Sequence, residues 1–409
     1  MTAPSGAKAK MAGVEGRVLF VNRYYWPEET ATAQLLCDLA EGLAARGRRV
    51  AVIARAPPGL PPGAWEARRG VDIIRVPAPR HAGTGIAAKA LHFASFWLGA
   101  RRALSRAVRP GDAVVALTDP PLMGVAAEAV ARRRGARTFH WIQDIYPEVA
   151  EAVAGGAVWK VFRPMRDRSW ARAEACVTLG SDMAGLVAER GVAPSRLHVQ
   201  SNWAPSGLVP PPPSQVAAAR AAWGASGQFV VGYSGNLGRV HDLDAVLALA
   251  EAFRGDPTVR FQITGSGPQR ARVEALAARR NLSAIRFGAP APRAELAAAL
   301  TAADAHLVTL RAGCERCVFP SKLYGIAAVM RPILFLGPPH CEVARVVRET
   351  GLGAACSASD VAAAADALRS FRDDSARRDA AAAAARQFAA AHAGPAQAVE
   401  LWDRLTRPA

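Results

Sequence analysis

The sequence predicts an α/β protein with two doubly wound parallel-sheet domains that face a central cleft. Its 409 residues exceed what one hydrophobic core usually organises. Short apolar runs alternate with longer helical patterns through both halves, which is typical of parallel sheets covered by helices. A proline-rich break at 202–214 separates the two series, because proline continues neither a helix nor a sheet.

The first half, 17–201, follows a small and polar segment at 1–16 that we expect to form a loose tail. Its short runs rich in Val, Ile, Leu and Phe have the length of buried strands. These runs lie at 18–21, 50–53, 71–76, 113–117, 138–142 and 175–179. Helical spacing of apolar residues fills 31–46, 86–108, 122–134, 161–173 and 181–190. The alternation predicts one parallel sheet with helices on both faces.

The second half, 229–392, restarts this alternation after a linker at 202–228. We predict its strands at 229–233, 260–264, 285–287, 306–310 and 333–336. Its helices are predicted at 242–254, 268–280, 293–301 and 321–329, with Ala-rich helices over most of 340–392. The remaining segment, 393–409, has a helical pattern that we expect to pack back on the first domain. In such sheets, ligands bind at the carboxyl ends of the strands.

Composition narrows the classes of function. Hydrophobic residues make up 51% and charged residues 21%, which excludes wholesale disorder. Lys and Arg number 51 against 34 Asp and Glu, so the formal charge of +17 favours anionic partners. The six cysteines are too scattered for a disulfide scaffold, and no apolar run reaches the ~18–20 residues of a membrane span. We expect a cytoplasmic protein, with peripheral contact to the inner face of the membrane left open.

Two glycine-containing loops follow predicted strands of the second half. The first is Gly235-Asn236-Leu237-Gly238-Arg239, and the second is Gly265-Ser266-Gly267. Glycine lets a backbone approach a phosphate closely, although either loop alone could be an ordinary turn. Two such loops in one domain favour a nucleotide site.

Lys322 is the third notable feature of the second half. Arginine supplies most of the positive charge, and lysine occurs at only five positions. Ser321 is a candidate N-cap, which would place Lys322 in the first turn of a helix and in the cleft. A lysine at such a place suits a phosphate as a point charge, and the alternative is an ordinary exposed lysine.

Aromatic and polar side chains follow two strands of the first half. Tyr25, Trp26 and Glu28 come after the first predicted strand, and Gln143 and Asp144 come after the strand at 138–142. Aromatic faces mixed with carboxylates and amides suit the binding of a sugar. Aromatic residues at strand ends serve as often in simple packing, so both interpretations remain open.

Other patterns are weaker. Cys314, Cys317, His340 and Cys341 are poorly spaced for tetrahedral zinc, because the last two are adjacent. The sequence contains no nucleophile elbow, no Walker loop and no G-x-G-x-x-G after the first strand. The basic and aromatic segment 89–102 is either an interfacial helix on acidic lipid or a helix packed on its own sheet.

The motifs together resemble glycosyltransferase family 4, and within it the bacterial colanic-acid, exopolysaccharide and O-antigen enzymes, over 17–390. The matching motifs are Tyr25-Trp26-Pro27-Glu28, Thr118-Asp119-Pro120-Pro121-Leu122, Gln143-Asp144-Ile145-Tyr146-Pro147-Glu148, Asn202-Trp203-Ala204, Tyr233-Ser234-Gly235-Asn236-Leu237-Gly238, Gly265-Ser266-Gly267 and Pro320-Ser321-Lys322-Leu323-Tyr324-Gly325. Each motif is short, but their order and spacing together are specific. The resemblance implies the GT-B fold, in which two Rossmann-like domains enclose the site.

The resemblance also implies a retaining glycosyltransferase that needs no metal and no cofactor beyond its co-substrate. The C-terminal domain would bind the nucleotide-sugar, a UDP-sugar in preference to a GDP-sugar, and the N-terminal domain a lipid-linked or oligosaccharide acceptor. The implied donor-binding residues are Gly235, Asn236, Leu237, Gly238, Arg239, Gly265, Ser266, Gly267, Ser321, Lys322 and Leu323. The implied acceptor-binding residues are Tyr25, Trp26, Glu28, Gln143 and Asp144.

The family's pair of glutamates is only partly matched. Glu315 fits the glutamate that lies near the donor sugar in such enzymes, and it is a candidate catalytic residue. The family's second glutamate, which contacts the ribose, aligns with Gly325, and glycine has no side chain that could make this contact. Glu342 is the substitute that we consider for the ribose contact.

The family's positive charges at the diphosphate are rearranged as well. The usual Arg and Lys align with Asn236 and His241, which shifts diphosphate binding to Lys322 and Arg239. These cations would stabilise the charge on the leaving diphosphate. Asp144 is the polar residue predicted nearest the acceptor and is a candidate base. A front-face mechanism, in which the leaving phosphate takes the acceptor proton, needs no base.

Two other hypotheses remain open. A sugar-nucleotide epimerase on the same fold would bind the same donor, need no acceptor and require acid and base carboxylates beside the sugar. A non-catalytic nucleic-acid-binding protein would explain the charge of +17, with an affinity that falls steeply as salt rises. Because arginine is spread along both halves, we favour the transferase and expect no nucleic-acid partner.

Overall fold

An eight-stranded sheet organises the first half of the chain in a computed structural model that describes residues 16–57, 65–77, 86–155 and 157–408. Its strands are β1 (Val18–Val21), β2 (Val50–Arg55), β3 (Trp65–Arg68), β4 (Val71–Val76), β5 (Ala113–Ala116), β6 (Arg137–Ile142), β7 (Ala175–Thr178) and β8 (Leu197–Val199). The spatial order is β3-β4-β2-β1-β5-β6-β7-β8, and only the β3–β4 pair is antiparallel. The central strands are buried along their whole length, as expected for a sheet covered on both faces.

A six-stranded parallel sheet organises the second half. Its strands are β9 (Phe229–Ser234), β10 (Val259–Thr264), β11 (Ile285–Gly288), β12 (Ala305–Thr309), β13 (Ile333–Leu336) and β14 (Gly353–Cys356). The spatial order is β11-β10-β9-β12-β13-β14. The two sheets confirm the predicted fold class of two doubly wound α/β domains.

Helices cover the faces of both sheets. They are α1 (Ala31–Ala45), α2 (Ile86–Ala107), α3 (Met123–Arg133), α4 (Glu148–Ala154), α5 (Arg163–Arg172), α6 (Ser181–Glu189), α7 (Pro213–Ala222), α8 (Leu243–Glu251), α9 (Arg270–Arg279), α10 (Leu296–Thr301), α11 (Lys322–Ala328), α12 (Glu342–Glu349), α13 (Val361–Asp373), α14 (Ser375–Ala391) and α15 (Ala396–Thr406). Thr30 and Asp242 cap α1 and α8 by accepting a backbone N–H three residues ahead. Within the described ranges, none of these helices is long and apolar enough to cross a membrane.

The last helix, α15, packs against α1 in the first domain. Trp402 on α15 is fully buried, and its ring centroid lies 5.9 Å from that of Trp141 on β6. Trp141 stacks in turn on Trp203, at 6.2 Å, where the chain leaves the first domain. Arg48 donates a hydrogen bond of 2.8 Å to Asp403 Oδ1 beside this cluster. The end of the chain therefore belongs to the core of the first domain.

The two domains contact each other beside the carboxyl ends of their strands. The Ile145 N–H, in the loop after β6, donates to Cys317 O at 2.8 Å, and Asp144 forms a β-bridge with Val318. Apolar side chains of both domains form one continuous buried cluster at this contact. The contact brings Asp144 next to the segment that leads into Lys322.

Several elements differ from the sequence prediction for physical reasons. β14 forms where Ala-rich helices were predicted, because its residues pair with the buried strand β13 and tertiary pairing overrides helix propensity. α4 forms in a stretch for which we predicted no element, with Glu148 and Glu151 favourably placed in its first turn. α7 lies inside the predicted linker and starts at Pro213, since proline is compatible with a first helical turn.

The helical segment 89–102 belongs to α2, which contacts β2, β4 and α3. Phe96 and Leu104 are fully buried on the face that meets the sheet, whereas Leu91 and Leu98 are exposed. The side chain of Lys89 lies outside the described residues. The structure favours the second of the two predicted alternatives, a helix packed on its own sheet.

Candidate active site

The two glycine loops lie side by side because β9 and β10 pair in parallel along their whole length. The Leu237 N–H donates to Ser266 O at 2.8 Å, and the Gly235 N–H donates to Thr264 O at 3.0 Å. Gly265 has a φ of +150°, and a Cβ at this position would lie 1.8 Å from Gly235 O. The close contact between the loops therefore requires glycine at 265.

Lys322, the first residue of α11, reaches this pair of loops. Its Nζ is buried, lies 3.6 Å from the centroid of the Tyr233 ring and has no hydrogen-bond partner among the described residues. A Cβ built on Gly235 would lie 3.8 Å from Lys322 Cε, so the side chain runs beside the first loop. Burial lowers the pKa of Lys322 to about 7. A buried amine without a counterion is suited to an anionic ligand.

His241 is the second titratable group beside Lys322. Its Nδ1 lies 2.7 Å from Thr309 O, so Nδ1 carries the proton and Nε2 is left as an acceptor. Burial and the charge of Lys322 lower the pKa of His241 to about 3. The imidazole is therefore neutral at pH 7, and Lys322 is the group that can supply positive charge here.

The glycine loops also present polar side chains to solvent. Asn236, Arg239 and Ser266 are exposed, and Arg239 makes no ion pair with any described residue. A Cβ on Gly267 would lie 2.5 Å from Asn236 Oδ1, and one on Gly238 would lie 3.1 Å from Asn236 Nδ2. The two glycines therefore leave room for the Asn236 amide, and a donor contact of these residues stays a prediction.

Three other residues predicted at the donor contribute differently. Leu237 and Leu323 are fully buried, and their side chains pack in the core. Ser321 occupies the N-cap position of α11, as predicted, but its side chain makes no capping hydrogen bond. Any contact of Leu237 or Leu323 with a donor would therefore use the backbone.

Asp144 approaches the same cleft from the first domain. Its backbone N–H donates to Thr118 Oγ1 at 3.2 Å. Burial and the nearby Asp119 carboxylate raise the pKa of Asp144 to about 7. Asp119 forms an ion pair with Arg23, with 3.1 Å between Asp119 Oδ1 and Arg23 Nε. The domain contact thus includes a carboxyl group that titrates near neutral pH, which is a feature of many functional sites.

Two of the residues that the sequence predicted to bind the acceptor are buried inside the first domain. Tyr25 is buried in the core of the first domain, and burial raises the pKa of its hydroxyl. Gln143 is buried, and its Oε1 accepts a hydrogen bond of 3.1 Å from Asn202 Nδ2. Tyr25 thus packs in the core and Gln143 is bonded to Asn202, and an acceptor contact of either side chain stays a prediction.

Trp26 and Glu28 remain near the surface. The Trp26 ring is partly exposed, and the Arg68 guanidinium lies 4.9 Å from its centroid. Glu28 is half-buried and forms an ion pair with Arg55. Trp26 thus keeps part of its ring available for a ligand, whereas the Glu28 carboxylate already has a partner.

Glu315 lines a pocket of about 390 Å³ between the domains that is open to solvent. Its Oε2 accepts the Gly313 N–H at 2.6 Å, which orients the carboxylate. Glu148, Glu151 and Arg163 of the first domain line the same pocket. The structure therefore places Glu315 between the domains, and its contact with a donor sugar stays a prediction.

Glu342, the substitute considered for the ribose contact, bridges the domains. Its Oε2 accepts the Asp182 N–H at 3.0 Å, and its own N–H donates to Asp182 Oδ2 at 2.7 Å. Arg345 donates to Asp182 Oδ1 at 2.8 Å. At Gly325, a Cβ would lie 3.5 Å from Leu208 Cδ2. The Glu342 carboxylate is occupied by α6 in this structure, so a ribose contact would require it to leave Asp182.

No group of three or more His, Cys, Asp or Glu side chains within the described ranges could hold a metal ion. Burial raises the pKa of the Cys314 thiol to about 11 and that of Cys317 to about 12. A bound zinc ion would itself lower these values, so the observation that bears on zinc is that no such ligand group forms among the described residues. The zinc alternative at Cys314, Cys317, His340 and Cys341 therefore has no structural support.

Sequence reasoning missed three residues as members of the site. Tyr233 provides the ring beside Lys322, Thr309 orients His241, and Asp119 raises the pKa of Asp144. All three lie at or just after the carboxyl ends of strands, so their position in the sheet was the signal that could have found them.

Two parallel-sheet domains that meet at their strand ends, around a glycine loop and a buried lysine, define the class of GT-B glycosyltransferases. Residues 30–203 match the family model described as glycosyl transferase 4-like domain, and residues 216–388 match the model described as glycosyl transferases group 1. The two models together cover most of the chain, which belongs to this glycosyltransferase family.

Individual proteins agree with this family. The chain is 28% identical to the probable glycosyltransferase WbjE of Pseudomonas aeruginosa, over 64% of this chain and 66% of that protein, just under two thirds of its length. It is 27% identical to the putative colanic acid biosynthesis glycosyl transferase WcaI of Escherichia coli, over 76% of this chain and 81% of that protein. The crystal structure of Anabaena HepE in complex with UDP has a TM-score of 0.70 at 14% identity, over 95% of this chain and 98% of that one, which shows a shared fold.

Proposed function

We propose that the protein transfers a sugar from a nucleotide-sugar to a lipid-linked or oligosaccharide acceptor in exopolysaccharide or lipopolysaccharide biosynthesis. The reaction retains the anomeric configuration and uses no metal ion, and a UDP-sugar is preferred over a GDP-sugar. The observation that carries the proposal is the buried Lys322 Nζ beside Gly235, which has no hydrogen-bond partner in the described chain. A diphosphate would supply both the hydrogen-bond acceptor and the negative charge that this buried amine requires.

The chemistry follows from where charge develops. The bond between the anomeric carbon and the phosphate oxygen breaks, and its electron pair stays on the diphosphate. Lys322, once protonated, stabilises that charge in a site from which water is largely excluded. The acceptor oxygen bonds to the anomeric carbon on the same face, and its proton passes to the leaving phosphate oxygen. This route needs no protein base, so Asp144 would position the acceptor hydroxyl by hydrogen bonding.

Two features support the choice of substrates. HepE, which shares the fold, was crystallised with UDP and with UDP-glucose, and this favours a uridine nucleotide. WcaI is named for colanic acid biosynthesis, which favours a polysaccharide pathway for the acceptor. Glu315 and Asp144 flank the domain contact, where the sugar of the donor and the acceptor hydroxyl would meet.

The test measures donor cleavage with water as the acceptor. The chain is incubated with UDP-glucose or GDP-mannose, and release of UDP or GDP is followed in the presence of EDTA. Lys322→Ala is expected to slow the release by ~10²–10³-fold, as for loss of one charge-stabilising donor. Arg279→Ala is the matched control, because Arg279 is an exposed cation of the same domain without an ion pair in the described chain.

The anomer formed first, read by proton NMR before mutarotation, tests the stereochemistry. Release of the α-anomer from these α-linked donors supports retention. The proposal is contradicted if the β-anomer appears first, if EDTA abolishes release, or if Lys322→Ala releases nucleotide at the wild-type rate. Conversion of the nucleotide-sugar into an epimer without release would establish the epimerase instead.

A further inference from the structure

Exposed apolar side chains are concentrated where α5 begins. Trp159, Val161, Phe162 and Met165 are 38%, 69%, 36% and 43% exposed. They are four of the nine large apolar side chains that are exposed in the described ranges, and they fall within seven residues. Large apolar side chains that are exposed together mark a surface that binds another structure.

Positive charge surrounds this apolar cluster. Lys160 and Arg168 are exposed, and neither forms an ion pair with a described residue. The neighbouring acids are already paired, because Asp167 lies 2.6 Å from Arg166 and Glu151 lies 2.6 Å from Arg163. The surface therefore combines aromatic and aliphatic side chains with uncompensated cations.

We propose that the 159–168 surface, formed by Trp159, Lys160, Val161, Phe162, Met165 and Arg168, docks the protein on a membrane that contains acidic lipid. Tryptophan, with its apolar body and polar N–H, is suited to the interface between headgroups and acyl chains. Lys160 and Arg168 supply the charge that attracts anionic headgroups, and the apolar side chains enter the outer part of the bilayer.

The same segment connects the surface to the candidate active site. On α5, Arg166 donates two hydrogen bonds of 2.8 Å to the carboxylate of Glu148, and Arg163 lines the pocket that also contains Glu315. A saccharide whose lipid remained in the membrane would thus meet the pocket next to the docking surface. This role in delivering an acceptor rests on the proposed function, whereas lipid binding itself does not.

The docking surface differs from the one that the sequence indicated. The predicted interfacial segment 89–102 buries Phe96 and Ala100 against the protein, although Leu91 and Leu98 remain exposed. These two leucines provide a matched control, since a Leu91→Ser/Leu98→Ser variant removes exposed apolar side chains from another helix of the same domain.

The experiment is co-sedimentation of the full chain with vesicles of phosphatidylcholine alone or mixed with equal parts of phosphatidylglycerol. We expect binding to the mixed vesicles at low salt, weaker binding at physiological salt, and little binding to phosphatidylcholine. Trp159→Ser/Phe162→Ser and Lys160→Gln/Arg168→Gln are each expected to weaken binding at least ~10-fold, because each removes two of the groups that enter or attract the bilayer. Leu91→Ser/Leu98→Ser is expected to bind as the wild type.

Thermal stabilisation by UDP and by GDP is measured on every variant. It shows whether a variant that has lost vesicle binding is still folded and still binds nucleotide. A variant that has lost vesicle binding but is still stabilised by nucleotide supports the proposal. The proposal is overturned if the wild type ignores acidic vesicles, if the 159–168 variants bind like the wild type, or if the leucine variant alone loses binding. Self-association that these substitutions abolish, without vesicle binding, would assign the surface to a second copy of the chain. Vesicle binding without any nucleotide effect would contradict the proposed function alone.

Discussion

Lys322 Nζ lies 3.6 Å from the centroid of the Tyr233 ring and has no hydrogen-bond partner among the described residues. The face of an aromatic ring attracts a cation, but far less than a carboxylate or bulk water does. Burial therefore dominates and lowers the pKa of Lys322 to about 7. The protein holds an amine that is only partly protonated until an anion arrives.

This relationship predicts that nucleotide binding takes up a proton. The lysine binds a diphosphate as the cation, so the bound state favours protonation. Above pH 7 the free protein is increasingly neutral at Lys322, and affinity for UDP should fall by up to ~10-fold per pH unit between pH 7 and 9. The terminal phosphate, with a pKa of ~6, is ionised throughout that range. His241 does not contribute, because its pKa of about 3 keeps it neutral.

Calorimetry at pH 8 in two buffers of different ionisation enthalpy measures this uptake. We expect an uptake that approaches one proton per nucleotide bound. Lys322→Ala should bind weakly and without uptake. A wild-type affinity that is constant between pH 7 and 9 would show that Lys322 is already fully protonated in the free protein.

The contact between the glycine loops predicts the effect of a single methyl group. Gly265→Ala should destabilise the protein by ~1–3 kcal/mol and weaken nucleotide binding, because φ is +150° and the new Cβ would meet Gly235 O. Gly394→Ala is the matched control, since no atom lies within 4 Å of a Cβ at that position. Urea denaturation and a UDP titration measure both effects. Equal stability of the two variants would mean that the loops do not need their close contact.

The charges around Glu148 predict an asymmetry between two variants. Burial raises the pKa of Glu148, but the hydrogen bonds and charge of Arg166 outweigh it and leave the pKa below its usual value. Arg163 and Arg190 each approach Glu148 Oε1 at 3.4 Å. Glu148→Gln removes the negative charge that balances these three arginines. It should therefore lower the free energy of unfolding by ~3–5 kcal/mol. Arg166→Met should cost less, because the other two arginines still compensate Glu148.

Denaturant unfolding of both variants, as a function of pH, checks this asymmetry. A carboxylate with a lowered pKa contributes stability above its ordinary pKa of ~4.3, and this stability is lost as pH falls through the lowered value. The wild type should therefore lose more stability than Glu148→Gln upon acidification. A larger cost for Arg166→Met at pH 7 would contradict the account.

The reciprocal hydrogen bonds between Asp182 and Glu342 predict that both side chains stabilise the contact between the domains. Asp182→Ala and Glu342→Ala should each lower the free energy of unfolding by ~0.5–1.5 kcal/mol, because each removes a carboxylate that accepts a backbone N–H from the other domain. Asp366→Ala, at an exposed ion pair with Arg369 within one helix, is the control and should cost only ~0.3 kcal/mol. Denaturant unfolding measures all three variants, and costs at Asp182 and Glu342 no larger than the control would show that these bonds do not stabilise the contact.

The sequence located a candidate site residue well where that residue comes directly after a strand that the apolar pattern identifies. β10 ends at Thr264, as the apolar pattern indicated, and β9 ends one residue later than predicted, so the glycine loops could be placed at one edge of the sheet. Lys322 could be predicted as a site residue because lysine is rare in this chain and follows a strand-end loop. What could not be predicted was its environment, because Tyr233 and His241 reach it only through tertiary packing.

The first domain shows why acceptor residues are harder to predict. Tyr25 and Trp26 are adjacent aromatics, yet the first is buried and the second is partly exposed. Gln143 and Asn202 are far apart in sequence, so nothing local reveals that their amides bond to each other. Periodicity identifies which residues form a strand, whereas the exposure of a loop side chain depends on elements that pack against it later in the chain.

The measurement that tests the central claim most directly is a titration of the wild type, Lys322→Ala and Arg279→Ala with UDP, GDP and ADP at pH 7. We predict that the wild type and Arg279→Ala bind UDP or GDP more tightly than ADP, and that Lys322→Ala loses at least ~10-fold in affinity, as expected for loss of a charge-assisted contact. Equal affinity of Lys322→Ala and the wild type for every nucleotide would contradict the assignment of the donor site to Lys322 and the glycine loops.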